Sequence, residues 1–338
     1  MNGHISPIDA VITWVDGDDP IHRAKRYSYM HGTELKYDDI GGETRYRQVG
    51  EIFFCVASIL RFAPFVRKIH IVTDNQNPRL DEFIALNFPD STTQVEIVDH
   101  KAIFRGYEDY LPIFNSLAIE TMLWRIPGLA EHFIYLNDDN MFVAPVAQNV
   151  FFDEFGRPTC YAHKMAAWKV DLLQALTPRR GGHKHYGYKK SLLNGARAAG
   201  LKHFFLNTGH TPLAMRRSVF EKYYGEHPDL IIRNISHRFR NENQYNPQSM
   251  FYSILQMREE CNVVSWHGLS VCLKPKAGDK RYFKRKLKKL DSPSVVFFCV
   301  NSLDKACPDE QELLRQHLCN RLNIKLPNDN TTIADDEF

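Results

Sequence analysis

The chain has 338 residues, of which 43% are hydrophobic and 25% are charged. This composition is typical of a folded globular protein and excludes an intrinsically disordered chain. The formal net charge of +3 is too small to indicate a nucleic-acid-binding protein, and we expect no nucleic-acid partner.

The sequence predicts neither a secretory signal nor a membrane span. Its first residues lack a basic region followed by an apolar one, and no run of about 18 apolar residues occurs. The seven cysteines lack the C-x-x-C spacing of zinc and redox sites, which favours reduced thiols. We therefore expect a cytoplasmic protein, with peripheral attachment to the inner face of the cell membrane as an open alternative.

Strands and helices alternate in the first half of the chain. The predicted strands are the apolar runs Ile8–Trp14, Lys68–Thr73, Val95–Val98 and Phe133–Leu136, and the predicted helices include Glu51–Phe62 and Phe114–Trp124. This alternation predicts an α/β fold with a mostly parallel sheet and helices on both faces.

The second half is predicted to be richer in helices and basic residues. We predict helices at Leu213–Tyr224 and Gln248–Arg258, a strand at Ser294–Val300 that completes the sheet, and a helix at Asp309–Leu322. The chain is accordingly divided into an α/β half (1–150), a helical and basic insertion (151–293), a closing strand and helix (294–326) and a flexible tail (327–338).

Acidic residues follow three of the predicted strands. Asp16, Asp74 and the pair Asp138-Asp139 come directly after apolar runs. Because open α/β sheets bind ligands at the carboxyl ends of their strands, these residues are expected to share one crevice. Adjacent carboxylates suit Mg²⁺ or Mn²⁺, but Asn-Asp-Asp-Asn also suits a β-turn, and the motif alone leaves both open.

The sequence has no glycine-rich phosphate loop, so if the protein binds phosphate, metal and basic side chains must neutralise it. Arg45 and Arg47 could grip a pyrophosphate, although most arginines are simply exposed. His210 lies in a polar turn, where a histidine is either a general base or merely structural. Arg240 is a further candidate for stabilising phosphoryl charge.

The segment Lys274–Lys289 contains nine Lys and Arg residues and one acid, Asp279. Such a run is most often a solvated surface. The functional alternative is a landing surface for an anionic partner, either phospholipid headgroups or a phosphate-bearing polymer.

Four blocks of the sequence resemble the Stealth family of sugar-1-phosphate transferases, which includes the animal GlcNAc-1-phosphotransferase catalytic subunit. They are Ile8–Gly17, the stretch from Arg61–Asp74 to Tyr135–Asp139, His210–Pro212 with Arg238 and Arg240, and Phe298–Asn301 with the helix after it. The first two blocks are long and specific.

The resemblance implies a Rossmann-like, GT-A-like fold, a UDP-sugar donor, Mg²⁺ (or Mn²⁺) and an anionic polysaccharide acceptor. It places Asp138 and Asp139 at the metal, and Asp16, His210 and Arg240 among the catalytic residues. The candidate substrate-binding residues are Trp14, Arg45, Arg47, Asp74, Asn115, Asn137, Arg238 and Asn301.

The chain departs from the family pattern at Phe53 and Ala57, where relatives typically have arginine. We expect a bacterial enzyme that transfers a sugar 1-phosphate to a capsular or surface polysaccharide and releases UMP. The missing arginines keep open a glycosyltransferase that releases UDP. A non-catalytic polysaccharide-binding or assembly subunit is the other alternative, if the acidic turn is only structural.

Overall fold

A computed structural model describes residues 7–30, 46–177, 187–275 and 279–327. Its strands are β1 Ile8–Thr13, β2 Val66–Thr73, β3 Gln94–Asp99, β4 His132–Asn137, β5 Asn140–Phe142, β6 Thr159–Ala166, β7 Phe204–Thr208, β8 Leu213–Arg216, β9 Asn262–Val264, β10 Ser270–Leu273 and β11 Phe297–Val300. Its α-helices are α1 Pro20–Ser28, α2 Glu51–Phe62, α3 Asp81–Asn87, α4 His100–Ile103, α5 Ser116–Met122, α6 Ala167–Leu176, α7 Tyr188–Ala198, α8 Arg217–Glu226, α9 Pro228–Ile235, α10 Pro247–Met257, α11 Lys280–Leu290 and α12 Pro308–Leu322.

The central sheet has five strands in the order β3-β2-β1-β4-β8. Strands β1 to β4 are parallel, and β8 runs antiparallel to β4 at one edge. The predicted α/β class with a mostly parallel sheet is therefore confirmed. The first four strands follow the predicted runs because each is a short apolar segment between helices.

Both faces of the central sheet are covered, which explains why β1 is apolar at the successive positions Ala10, Val11 and Ile12. Ile8, Ala10 and Ile12 of β1 belong to the hydrophobic cluster that contains α2. Val11 belongs to a second cluster on the opposite face, with residues of α5, α8 and α10. Successive side chains of a strand point to opposite faces, so each cluster takes every second residue.

Two small sheets lie beside the central one, with orders β10-β11-β5 and β7-β6-β9. The last strand, β11, therefore pairs with β5 and β10. It lies outside the central sheet, which the sequence had predicted it to complete. The region 151–293 likewise contains strands β6 to β10 as well as helices. The division of the chain into functional segments stays a prediction.

One predicted helix was wrong at its start. Leu213–Tyr224 begins as β8, which pairs antiparallel with β4, and only then continues as α8 from Arg217. A four-residue apolar run cannot be assigned by periodicity, and here the open edge of β4 decides its conformation. Among the described residues, no helix is both long enough and apolar enough to cross a membrane.

Candidate functional site

The carboxyl ends of three parallel strands meet at one edge of the central sheet. Thr13, the last residue of β1, is in register with Val72 of β2 and with Asn137 of β4. The next residue, Trp14, donates a backbone hydrogen bond of 3.0 Å to Val72. Asp16, Asp74 and Asp138 follow these strand ends within a few residues, so the acidic segments leave the sheet at the same edge.

The pair Asp138-Asp139 forms the tight turn between β4 and β5. The Asn140 side-chain amide donates a 2.7 Å hydrogen bond to Oδ1 of Asp139. The Cys299 thiol lies 3.7 Å from Oδ2 of the same carboxylate. Asp138 and Asp139 therefore form a turn and also bring two carboxylates together, so the two interpretations of the sequence do not exclude each other.

Desolvation shapes the acidity of this turn. Burial raises the pKa of Asp139 to about 6, although hydrogen bonds from Cys299, Asn301 and Asn140 oppose the rise. Burial also raises the pKa of Asp138 well above its usual range, and the negative charges of Asp139 and Glu51 add to it. Ionising both carboxylates is therefore unfavourable unless a positive charge binds beside them.

These residues fit a divalent cation bound with help from a substrate. Among the described residues, no group of three His, Cys, Asp or Glu side chains forms a ready metal site. Mg²⁺ often takes only one or two carboxylates and completes its shell with water and phosphate oxygens. Beside Asp139, Oδ1 of Asn140 is buried without a hydrogen-bond partner. The donor set of Asp138 and Asp139 therefore suits Mg²⁺ or Mn²⁺ shared with a phosphate ligand.

A buried polar network runs from β4 to Arg240. The Tyr135 hydroxyl donates a 2.7 Å hydrogen bond to Oδ1 of Asn137 and lies 3.1 Å from Oε1 of Glu120. Burial raises the pKa of Glu120, and the positive charge of Arg240 counteracts the rise. Arg240 also donates a 3.0 Å hydrogen bond to the Ser116 hydroxyl. The guanidinium is thus held on the side of the site formed by α5.

His210 stacks on Tyr188, with ring centroids 5.8 Å apart. Desolvation lowers the pKa of His210, and the nearby Lys274 ammonium lowers it further. Desolvation raises the pKa of Tyr188 to about 12, and its hydroxyl lies 2.8 Å from the Thr208 hydroxyl. A lowered pKa keeps the imidazole neutral near pH 7, as a proton acceptor requires.

Two predicted acidic residues are engaged within the protein. Oδ1 of Asp16 accepts a 3.0 Å hydrogen bond from the backbone of Asp18, and Gln76 bonds both the amide and the carbonyl of Asp16. Asp74 forms an ion pair of 2.7 Å with Lys25. One oxygen of Asp16 is thus used by its own loop, whereas the Asp74 carboxylate is paired with a lysine.

The predicted binding residues with amide and indole groups differ in their surroundings. Asn115 is buried and caps α5, and its amide donates to His237, Phe239 and Gln244. Its polar atoms are thus used by the fold. Asn301 hydrogen-bonds the Asp139 carboxylate. The indole nitrogen of Trp14 is buried without a partner at the strand ends.

The predicted arginines lie in different settings. Arg238 donates a 3.2 Å hydrogen bond to the carbonyl of Leu111 and lies over the Tyr29 ring. Arg47 is exposed. It adjoins Tyr46, whose carbonyl accepts a 2.8 Å hydrogen bond from Gly17, so Arg47 is near the loop after β1. Arg45 lies outside the described residues.

The two positions at which the family pattern has arginine lie in apolar surroundings in this protein. Phe53 packs against Phe83 with ring centroids 5.1 Å apart, and Ala57 is fully buried on α2. The sequence reading missed Glu51, Glu120 and Tyr188. Glu120 lies in a helix with an ordinary amphipathic pattern. No neighbouring residue in the sequence indicates that its carboxylate is buried.

Two conserved regions of one family match this chain. The Stealth protein CR1 region matches residues 6–34, and the Stealth protein CR2 region matches residues 45–159. The first range contains Asp16, and the second contains Glu51, Glu120 and the Asp138-Asp139 turn.

Relatives align over most of the chain. The capsular polysaccharide phosphotransferase fcs1 of Haemophilus influenzae is 32% identical over 304 residues, or 87% of this chain and 78% of the relative. The capsular polysaccharide phosphotransferase LcbA of Neisseria meningitidis is 28% identical over 93% of this chain and 82% of its own length. The receptor polysaccharide phosphotransferase WefC of Streptococcus oralis is 38% identical over 46% of this chain and 44% of its own length.

A solved structure, the galactosyltransferase LgtC with donor and acceptor sugar analogues, superimposes with a TM-score of 0.44 and 10% identity over 95% of this chain and 98% of that one. The two matched regions and the long alignment with fcs1 lead to the identification. This chain is a transferase that belongs to the Stealth family.

Proposed function

We propose that this Stealth protein transfers a hexosamine or hexose 1-phosphate from a UDP-sugar to a hydroxyl of a capsular or surface polysaccharide, and releases UMP. The observation that carries the proposal is the desolvated pair Asp138-Asp139 at the carboxyl edge of the sheet, joined through Tyr135 and Glu120 to Arg240. The relatives fcs1 and LcbA are named as capsular polysaccharide phosphotransferases, which supports the substrate class.

In the proposed reaction, the acceptor hydroxyl oxygen bonds to the phosphorus next to the sugar. The bond from this phosphorus to the bridging oxygen breaks, and UMP leaves with that oxygen. The product is a phosphodiester between the sugar and the acceptor. The released proton goes to His210, whose lowered pKa keeps the imidazole neutral before the reaction.

The remaining residues act on charge and position. Arg240 faces the phosphoryl oxygens and is oriented by Glu120 and Ser116. A Mg²⁺ or Mn²⁺ ion held by Asp138 and Asp139 would neutralise the donor phosphates when bound. The donor would be lined by residues near the acidic turn and the ends of β1 and β4: Trp14, Asp16, Asn137 and Asn301. Loose phosphoryl transfer depends mainly on positioning and electrostatics, so these contacts should matter more than the base.

The basic segment Lys274–Lys289 is proposed to bind the anionic acceptor. In α11, Phe283, Leu287 and Leu290 are buried against the core. The outer side of the helix consists of exposed cations: Lys280, Arg281, Lys284, Arg285, Lys288 and Lys289. A row of cations on a fixed helix can attract a polyanion over several residues of its length without recognising one sugar.

One observation favours a second candidate. Phe53 and Ala57 are apolar where the family pattern has arginines, and fewer cations at the donor would suit attack at the anomeric carbon. The protein would then be a glycosyltransferase that releases UDP. We favour UMP release because Arg240 and paired carboxylates suit charge spread over phosphoryl oxygens, whereas a glycosyl cation gains little from a guanidinium.

The released nucleotide separates these reactions. The enzyme is incubated with a panel of UDP-sugars, Mg²⁺ and a capsular oligosaccharide, and the nucleotides are resolved by ion-exchange chromatography. We expect acceptor-dependent UMP. Acceptor-dependent UDP without UMP would establish the glycosyltransferase instead. No nucleotide release, together with no metal-dependent quenching of tryptophan fluorescence by any UDP-sugar, would indicate a binding subunit.

A further inference from the structure

Helix α6 exposes an apolar face that the proposed reaction does not use. Trp168 is 61% exposed, Leu172 51%, Leu173 61% and Leu176 74%. Trp168, Leu172 and Leu176 follow one another at intervals of four residues, so they lie on one side of the helix. Exposed apolar side chains gathered on one helix face indicate an interaction surface, whereas scattered ones do not.

The fold does not need this face for its own core. Ala167 and Val170 are the residues of α6 that enter the small hydrophobic cluster formed with α7 and β7. Asp171 is held by Arg197 of α7 through two hydrogen bonds of 2.7 and 3.1 Å. The helix is thus anchored on its inner side by packing and an ion pair. Its outer side is left to solvent.

The unit around α6 is strongly basic. The described residues from the start of β6 to the end of β7, 159–177 and 187–208, contain six Lys and Arg and a single acid, Asp171, which forms an ion pair with Arg197. Lys164, Lys169, Lys189 and Lys202 are exposed. Lys169 lies on the apolar face itself, with its ammonium 5.8 Å from the Trp168 ring.

We propose that α6 lies in the surface of an anionic lipid bilayer, with Trp168, Leu172, Leu173 and Leu176 inserted at the level of the headgroups. Interfacial helices combine Trp and Leu on one side with Lys that meets lipid phosphates. Protein interfaces are depleted in Lys at their centres, so the mixture of leucines and cations fits lipid better than a protein partner. The buried residues of α6 and of α11 belong to different hydrophobic clusters, and the proposal does not depend on the transfer reaction proposed above.

Vesicle flotation tests the proposal, using phosphatidylcholine vesicles with and without phosphatidylglycerol. We expect the protein to float with the anionic vesicles and to remain in solution with the neutral ones. The variant Leu172→Gln/Leu176→Gln should reduce binding to anionic vesicles by about tenfold or more, because each leucine loses its apolar burial. Both side chains are exposed, so folding and transfer to a soluble acceptor should be unchanged.

A matched control replaces apolar residues of similar exposure elsewhere. Leu86 is 62% and Phe155 75% exposed, and Leu86→Gln/Phe155→Gln should bind vesicles like the wild type. Equal loss in this control, or wild-type binding by the α6 variant, would overturn the proposal. So would binding that is lost only when Lys284 and Lys288 of α11 are neutralised. A dimer in light scattering that the α6 variant abolishes, without vesicle binding, would show that a second copy covers the face instead.

Discussion

The hydroxyl of Tyr135 lies 3.1 Å from the carboxylate of Glu120. This hydrogen bond connects β4 with α5. The same hydroxyl donates to Asn137, the residue before the Asp138-Asp139 turn. Because Arg240 carries the positive charge that faces Glu120, this one contact connects the predicted metal turn with the predicted phosphoryl-binding arginine.

Glu120 is therefore expected to act as a positioning residue for Arg240. Glu120→Gln keeps the shape of the side chain but removes the charge that faces the guanidinium. We expect kcat to fall by about tenfold with little change in donor KM. Thermal stability should be maintained, because burial already disfavours the charged form of Glu120.

A double-mutant cycle distinguishes positioning from a general structural defect. In an Arg240→Ala background, Glu120→Gln should have little further effect on kcat, because the residue it positions has gone. Additive losses would show that Glu120 acts by another route.

Replacing Asp139 by Asn should nearly abolish transfer while the fold persists. The carboxylate supplies charge, so its loss should reduce turnover by about a hundredfold or more. Stability should not fall, because the neutral amide relieves the repulsion with Asp138. Activity assays and thermal melting test both statements, and Asp90→Asn, at an exposed position, is the control. A purified Asp139→Asn enzyme with wild-type activity would refute the assignment.

The pH profile of kcat/KM should report His210. A general base must be neutral, so activity rises as pH rises through the pKa of His210 and is lost below it. Desolvation and then Lys274 lower this pKa below its ordinary value. Lys274→Gln should therefore move the part of the acidic limb that is due to His210 to higher pH. His210→Ala should remove that part with a loss of about a hundredfold, whereas protonation of Asp139 still lowers activity at acid pH. An unchanged limb in His210→Ala would assign the base elsewhere.

Cations of α11 should contribute to acceptor binding and not to chemistry. Lys284→Gln/Lys288→Gln removes two exposed charges one helical turn apart. We expect weaker binding of a long anionic acceptor, with a smaller dependence on salt, and unchanged transfer to a short soluble acceptor. The control Lys101→Gln/Lys222→Gln removes the same charge from exposed positions on other helices. Equal losses with long and short acceptors would contradict this division.

Asp9 should stabilise the fold far from the reaction. Burial opposes its ionisation, but hydrogen bonds from His70, Arg67 and the Ala130 amide lower its pKa to about 2. A carboxylate with a depressed pKa contributes stability above its unfolded pKa and loses that contribution as pH falls from about 4 to about 2. Asp9→Asn should therefore reduce the free energy of unfolding at pH 7 by roughly 2–4 kcal/mol and flatten its acid dependence.

Chemical denaturation of Asp9→Asn at pH 7 and pH 3, beside the wild type, measures this effect. The difference between the two proteins should shrink at the lower pH, while kcat at pH 7 stays unchanged because Asp9 lies near the amino end of β1. A constant difference at both pH values would contradict the ionic role.

The sequence alone determined the parallel strands β1 to β4, helix α2 and the acidic turn after β4. Each is encoded locally: an apolar run or a periodic pattern defines the element, and polar residues mark where it ends. The family resemblance, confirmed by the CR1 and CR2 matches, was also present in these local segments.

The tertiary structure decided the features that depend on residues distant in sequence. Leu213–Arg216 became a strand because the edge of β4 was open to it. Glu120 gained its role because folding buried its carboxylate near Arg240, 120 residues further along. The exposed face of α6 likewise depends on which side of the helix the small core accepts. Burial and long-range pairing are properties of the packed chain, and the local pattern of residues does not contain them.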